Sequence, residues 1–162
     1  DWSSDVCSSD LTGLPVNIKK GPFMAPEDML YAIEKTRTQK FRGAIITERG
    51  TSFGYNNLIA DMRSLTILKE TSAPVIFDAS HASQYPTALG SISGGDRRFT
   101  PILARAAVAV GVAGVFIETH PNPKHALSDS ATQFPLDDLA HLIKQLISLD
   151  RLIKVSPEKA LI

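Results

Sequence analysis

The sequence predicts an α/β protein in which parallel strands alternate with helices. Three observations carry that expectation. Four short apolar runs, Val16–Lys19 (VNIK), Gly43–Arg49 (GAIITER), Pro74–His81 (PVIFDASH) and Gly114–His120 (GVFIETH), are rich in β-branched residues and bounded by Gly or Pro. That is the signature of buried parallel strands. Each run ends in polar residues: Lys19, then Glu48 and Arg49, then Asp78 and His81, then Glu118 and His120. Parallel βα folds keep their chemistry at the carboxyl ends of the strands. Finally, a segment of helical period follows every run. Four βα units make half of a closed eight-unit barrel, and a half-barrel leaves open strand edges. The expected fold is therefore the C-terminal half of a TIM (β/α)8 barrel, over residues 12–152, with 153–162 as a tail. A self-contained four-stranded sheet is the alternative.

The chain has 162 residues, 43% hydrophobic and 21% charged, enough for one core. Lys and Arg number 17 against 17 Asp and Glu, so no charge excess points to nucleic acid or an anionic membrane. No apolar run reaches the roughly 18–20 residues of a membrane-spanning helix. The single cysteine rules out an internal disulfide and fits a cytoplasmic protein. Residues 1–11 (DWSSDVCSSDL) have no apolar period and no signal-peptide pattern. They resemble the in-frame translation of a sequencing-library adaptor, the alternative being a natural disordered tail, and Cys7 is not counted as a ligand or nucleophile.

Strand one is expected at Val16–Lys19 and is followed by a turn, Lys20–Phe23. A helix is expected from Pro26, whose fixed φ suits a first helical position, with Glu27 and Asp28 at the positive end of the dipole. Met29, Leu30 and Ile33 form its apolar face. Strand two covers Gly43–Thr47. Its loop, Glu48–Asn57, contains glycines and aromatics that shape it. The next helix is expected over Leu58–Lys69, with Leu58, Met62, Leu65 and Leu68 on one side. Strand three is Val75–Ala79. The long connection Ser80–Asp96 reads as a functional lid, and its Ser-x-Ser-Gly-Gly core offers backbone N–H groups to an anion. A helix of small residues, Pro101–Val110, ends at Gly111. Strand four is Gly114–Glu118, and the last helix starts at Pro135.

Among the candidate site residues, His81, Glu118 and Asp129 lie at or beyond the ends of strands three and four. One nitrogen and two oxygen donors suit a divalent Zn, Fe or Mn ion. The alternatives are a structural histidine and a Glu118–arginine pair. Lys19 and Arg49 both end strands, and two fixed cations at a barrel mouth suit a phosphate or carboxylate. Ion bridges to Glu48 or Asp78 are the bland reading. Arg97 and Arg98 follow the Gly-Gly turn and either clamp a second anion or cap a helix start. No Walker-type or dinucleotide-type glycine fingerprint is present.

The stretches NIKKGPF, TERGTSFGYNNLIADMRSL, PVIFDASHASQ, SGGDRRF, RAAVAVGVAGVFIETHPNP and ALSDSATQFPL resemble the 3-deoxy-D-manno-octulosonate 8-phosphate synthase family. The DAHP synthases are a sister group with the same barrel and chemistry. The resemblance implies a TIM-barrel transferase, usually a homotetramer, of lipopolysaccharide biosynthesis. It would condense phosphoenolpyruvate with D-arabinose 5-phosphate. By motif, Lys19 and Arg49 fall on residues that hold phosphoenolpyruvate. His81, Glu118 and Asp129 fall on three ligands of the metal-dependent class, and the segment Ser93–Phe99, with Arg97, on a lid. His81 or Asp129 would assist proton transfer. The family's fourth ligand is a cysteine near the N-terminus of the full chain, replaced by asparagine in metal-independent members. The resemblance thus implies a divalent metal in one class and none in the other. Pro22 stands where many relatives have glutamine. Because early strands supply other substrate contacts, the chain as given is expected to be inactive. Other readings are a different metal-dependent aldolase or lyase on this barrel, and a non-catalytic half-barrel.

Overall fold

A computed structural model of the chain describes residues 13–37, 42–89 and 92–155, without the side chains of 87–89, 92–93 and 155. The adaptor-like segment 1–11 lies outside the described residues. Four strands, β1 (Val16–Lys19), β2 (Ala44–Glu48), β5 (Val75–Asp78) and β8 (Gly114–Phe116), form one sheet in the order β1-β2-β5-β8. Every neighbouring pair is parallel, with Lys19 opposite Thr47, Thr47 opposite Ile76 and Ile76 opposite Gly114. Among the described residues, β1 and β8 each have a single neighbour in this sheet.

The two-residue alternation of the strands decides what each face carries. Ile18, Ile46, Val75 and Phe77 face the helices and are buried. They pack with Met29, Ala32 and Ile33 of α1 (Met29–Thr36) and Leu65 and Leu68 of α2 (Met62–Lys69). Ala104 and Ala107 of α3 (Thr100–Val110) and Leu142 and Leu146 of α4 (Leu136–Val155) complete this core. Alternation and register put Asn17, Lys19, Thr47, Asp78 and Phe116 on the opposite face. There the Thr47 hydroxyl donates to Asn17 Oδ1 at 2.7 Å and the Lys19 ammonium lies 4.7 Å from the Phe116 ring centroid.

Several boundaries differ from expectation. Residues 25–31 begin with i→i−3 turns, such as Met29 N–H to Pro26 O at 3.2 Å, so the helix proper starts at Met29. Leu58 and Ile59 are not helical. They form β4 (Leu58–Ile59), antiparallel to β3 (Thr51–Ser52). Gly54 (φ 65°) and Asn56 (φ 53°) turn the chain between them. Helix α2 then starts after Asp61, whose carboxylate accepts from Arg63 N–H at 3.0 Å. This N-cap outweighs the apolar period that includes Leu58.

After β5 come a 3₁₀ turn (His81–Ser83) and the antiparallel strands β6 (Gln84–Leu89) and β7 (Ile92–Gly95). The Ser-Gly-Gly core is thereby paired as a strand instead of forming an open anion nest. Helix α3 ends as expected at Gly111, with φ 86°. Strand four stops at Phe116. A further two-residue strand, β9 (Thr119–His120), pairs in parallel with β10 (Phe134–Pro135). Helix α4 continues through Val155, so residues 153–155, expected in the tail, are helical.

Candidate active site

The candidate site residues gather at the carboxyl ends of the sheet strands, and alternation sorts them by face. Glu48 faces the helices and Arg49 the open side. Likewise Lys20 is fully buried on the helix side while Lys19, one residue earlier, faces outward. The Lys20 ammonium lies 3.5 Å from Glu48 Oε1, and Glu48 also accepts from Gly50 N–H at 2.7 Å and the Ser64 hydroxyl at 3.1 Å. Glu48 therefore pairs with neither Lys19 nor Arg49.

One ligand atom from each of His81, Glu118 and Asp129 lies within 4.8 Å of the others. The sequence places these residues as far as 48 positions apart, so tertiary structure alone assembles them. His81 Nε2 stands 3.6 Å from Glu118 Oε1. Two ligands at about 2.1 Å from one ion, at roughly tetrahedral angles, stand ~3.4 Å apart. The His81–Glu118 spacing therefore fits a divalent ion.

Each ligand candidate has a side-chain atom held by a neighbour. His81 Nδ1 is 2.7 Å from Asp78 Oδ2, and His81 N–H donates to Asp78 Oδ1 at 2.9 Å. That leaves Nε2 to face Glu118. Gln133 Nε2 donates to Glu118 Oε2 at 3.0 Å, while Glu118 N–H donates to the Ser80 hydroxyl at 2.8 Å. Gln84 Nε2 donates to Asp129 Oδ1 at 2.6 Å. Carboxylates and amides behind the ligands are the usual support of a metal centre. Asp129 has a left-handed backbone (φ 50°), and its carbonyl accepts from the N–H groups of Thr132 and Gln133 at 2.9 and 3.0 Å. Aspartate tolerates that region better than most residues.

The two cations reach this cluster through one bridging residue each. Lys19 Nζ donates to Asp78 Oδ2 at 2.8 Å, the oxygen that His81 also contacts. Burial alone would push the Asp78 carboxyl up. Hydrogen bonds from the His81 side chain and backbone, and from Lys19, outweigh it and hold Asp78 below the usual carboxylate range. Arg49 Nη2 donates to Gln84 Oε1 at 3.0 Å. Arg49 Nε–H is buried with no partner among the described residues. A buried guanidinium N–H without an acceptor is rare and suits an anionic ligand.

The remaining candidates separate. The Arg97 guanidinium donates to the Ser130 carbonyl at 2.5 Å and its backbone N–H to Ala131 O at 3.2 Å, fastening the hairpin to the loop that carries Asp129. Arg98 is exposed and paired with Asp96 at 2.6 Å, as a helix-start cap. His120 Nδ1 accepts from Asn122 N–H at 3.0 Å, and His125 is exposed. Lys19 does make the Asp78 bridge that was the bland alternative, whereas Arg49 makes no ion bridge among the described residues, and Glu118 has glutamine rather than arginine as partner. Sequence reasoning missed Lys20, Gln84 and Gln133. Alternation beside Lys19 was the available signal for Lys20. The two glutamines had no signal beyond proximity to His81 and Asp129.

Residues 9–155 match the family model described as the DAHP synthetase I family. A Dichelobacter nodosus protein named 2-dehydro-3-deoxyphosphooctonate aldolase is 53% identical over 156 residues, 96% of this chain and 55% of that protein. Proteins of the same name from Methylococcus capsulatus and Bordetella pertussis are 53% and 55% identical over 90% and 88% of the chain, and 52% of each relative is covered. The chain thus spans about half the length of the curated relatives it matches. With its strand-end site and a family match over nearly all its length, the chain belongs to the DAHP synthetase I family.

Proposed function

We propose that this chain is the C-terminal half of a (β/α)8 synthase that condenses phosphoenolpyruvate with D-arabinose 5-phosphate. The products would be 3-deoxy-D-manno-octulosonate 8-phosphate and phosphate, for lipopolysaccharide synthesis. The carrying observation is the cluster of His81, Glu118 and Asp129 within 4.8 Å, with Lys19 and Arg49 each one side chain away. The shared name of the relatives supports this substrate pair, and open edges at β1 and β8 support the half-barrel.

In this reading C3 of phosphoenolpyruvate attacks the aldehyde carbon, whose oxygen takes up a proton, while water adds at C2 and gives one up. The C2–O bond to phosphate then breaks, phosphate leaves with the second water proton, and C2 becomes the ketone. Lys19 and Arg49 hold the donor's phosphate and carboxylate, and their fixed charge stabilises the transition state without solvent reorganisation. The unpartnered Arg49 Nε–H gives that anion a place to bind. The remaining Arg97 N–H groups would meet the acceptor phosphate. His81, Glu118 and Asp129 would hold a divalent ion (Zn, Fe or Mn), which would polarise the aldehyde and orient the water. The acid or base would be Asp129 or His81, and Asp78 fixes which His81 nitrogen faces the cluster. A cytoplasmic homotetramer is proposed for the complete protein.

The test joins this chain in frame behind the amino-terminal half of the Dichelobacter relative and measures phosphate release. Turnover should require both substrates, and the chain alone should show none. A folded joined protein that is inactive, or that uses a different donor, would refute the reading, as would turnover by the chain alone.

A further inference from the structure

Gln84 is the junction of the candidate site. It is 6% exposed, sits at the first position of β6, and uses both ends of its amide. Its Oε1 accepts from Arg49 Nη2 at 3.0 Å, and its Nε2 donates to Asp129 Oδ1 at 2.6 Å. These partners are opposite in charge, so the amide orientation is fixed: only oxygen suits the guanidinium and only nitrogen suits the carboxylate. The backbone holds the side chain in place. Gln84 pairs with Gly95 across the hairpin. A Cβ on Gly95 would come 2.3 Å from Thr132 Cγ2 and 3.0 Å from Ser83 O, so the hairpin lies tightly against the loop that carries Asp129.

Asp78 spans Lys19 and His81 in the same way. Each cation of the anion subsite is thus linked to one residue of the metal subsite through a single buried side chain. Asp78 does so with charge and Gln84 without. A carboxylate at position 84 would repel Asp129, and a cation would repel Arg49. A neutral group with a donor and an acceptor satisfies both.

We infer that Gln84 is a positioning residue that holds Asp129 for the metal and Arg49 for the anion, coupling the two subsites. This rests on the proposed metal and phosphoenolpyruvate sites. By holding Asp129 Oδ1 it would leave the second carboxylate oxygen free for an ion. By restricting one arm of Arg49 it leaves Nε–H for the donor.

The test titrates the whole chain with Mn²⁺ by electron paramagnetic resonance and with phosphoenolpyruvate by calorimetry, for wild type, Gln84→Met and Gln84→Asn. Methionine keeps the length without either hydrogen bond, and asparagine keeps the amide but is too short to span both partners. Removing support of this kind weakens metal binding by about 10–100-fold. Both variants should show at least a tenfold loss for Mn²⁺ and a several-fold loss for phosphoenolpyruvate. A purely structural role would lower the urea midpoint and leave the Mn²⁺ affinity unchanged, which would overturn the inference. Wild-type chain that binds no Mn²⁺ would overturn the metal reading itself, and the inference with it. A second measurement needs no variant: the Gln84 side-chain amide resonances of the unmodified, isotopically labelled chain should shift on adding either Zn²⁺ or phosphoenolpyruvate. Resonances indifferent to both would also overturn the inference.

Discussion

Replacing Lys20 by methionine separates the buried structural lysine from Lys19, proposed to hold the donor substrate. The Lys20 side chain is fully buried, with its ammonium near the carbonyls of Met24 (3.2 Å), Gly21 (3.3 Å) and Gly50 (3.4 Å), the Thr51 hydroxyl (3.3 Å) and Glu48 Oε1 (3.5 Å). Methionine keeps most of the stem, so little packing is lost. What remains is a buried Glu48 without its counter-charge. Breaking a buried ion pair from one side costs about 3–5 kcal/mol. Glu48 keeps donors from Gly50 N–H and Ser64 Oγ, which favours the lower end, about 3 kcal/mol. With a urea dependence of about 2 kcal/mol per molar, the midpoint should fall by about 1.5 M. Adding Glu48→Gln to Lys20→Met removes the stranded charge and should recover about 2 kcal/mol of coupling energy. Urea denaturation followed by circular dichroism on the four proteins of the cycle measures this. A midpoint change under about 0.5 M for Lys20→Met with unchanged slope, or additive single effects, would show that Lys20 and Glu48 are not a coupled buried pair.

Other outcomes follow from the same geometry. Asp78 has a depressed pKa when folded, so its contribution is present above the ordinary carboxylate range and lost as pH falls through the folded value. The urea-midpoint advantage of wild type over Asp78→Asn should hold from neutral pH to about 5 and narrow below about 4. A gap that widens on acidification would contradict this. Gly95→Ala forces a Cβ to within 2.3 Å of Thr132 Cγ2, and overpacking of this kind costs about 1–3 kcal/mol. Denaturation should show that loss and the Mn²⁺ titration a weaker site. Arg49→Lys keeps the charge but loses the guanidinium fork, so phosphoenolpyruvate should bind about tenfold more weakly by calorimetry.

The sheet was legible because its strands are continuous apolar runs with nothing else to become. Strand one occupies Val16–Lys19 as expected, and Gly111 ends its helix in the left-handed conformation expected of it. The two hairpins were not legible. Thr51–Ser52 and Leu58–Ile59 are too short for any period, and Leu58 fits the stripe of the following helix. The Ser-Gly-Gly stretch looks like an anion loop until its pairing with Gln84 and Tyr85 is known. At the site, strand ends pointed to Lys19, Arg49, His81 and Glu118 because position in a βα unit restricts their direction. Gln84 has no such marker. Its two partners lie 35 and 45 residues away, and only the folded hairpin brings it between them.

Crystals grown with Mn²⁺ and phosphoenolpyruvate, with anomalous data collected at the manganese edge, would test the site most directly. One anomalous peak should lie among His81 Nε2, Glu118 and Asp129 at about 2.0–2.2 Å from each, the spacing of a first-row metal site. Phosphoenolpyruvate density should then lie against Lys19 Nζ and Arg49 Nε. A peak held by other residues, or phosphoenolpyruvate bound away from both cations, would contradict it.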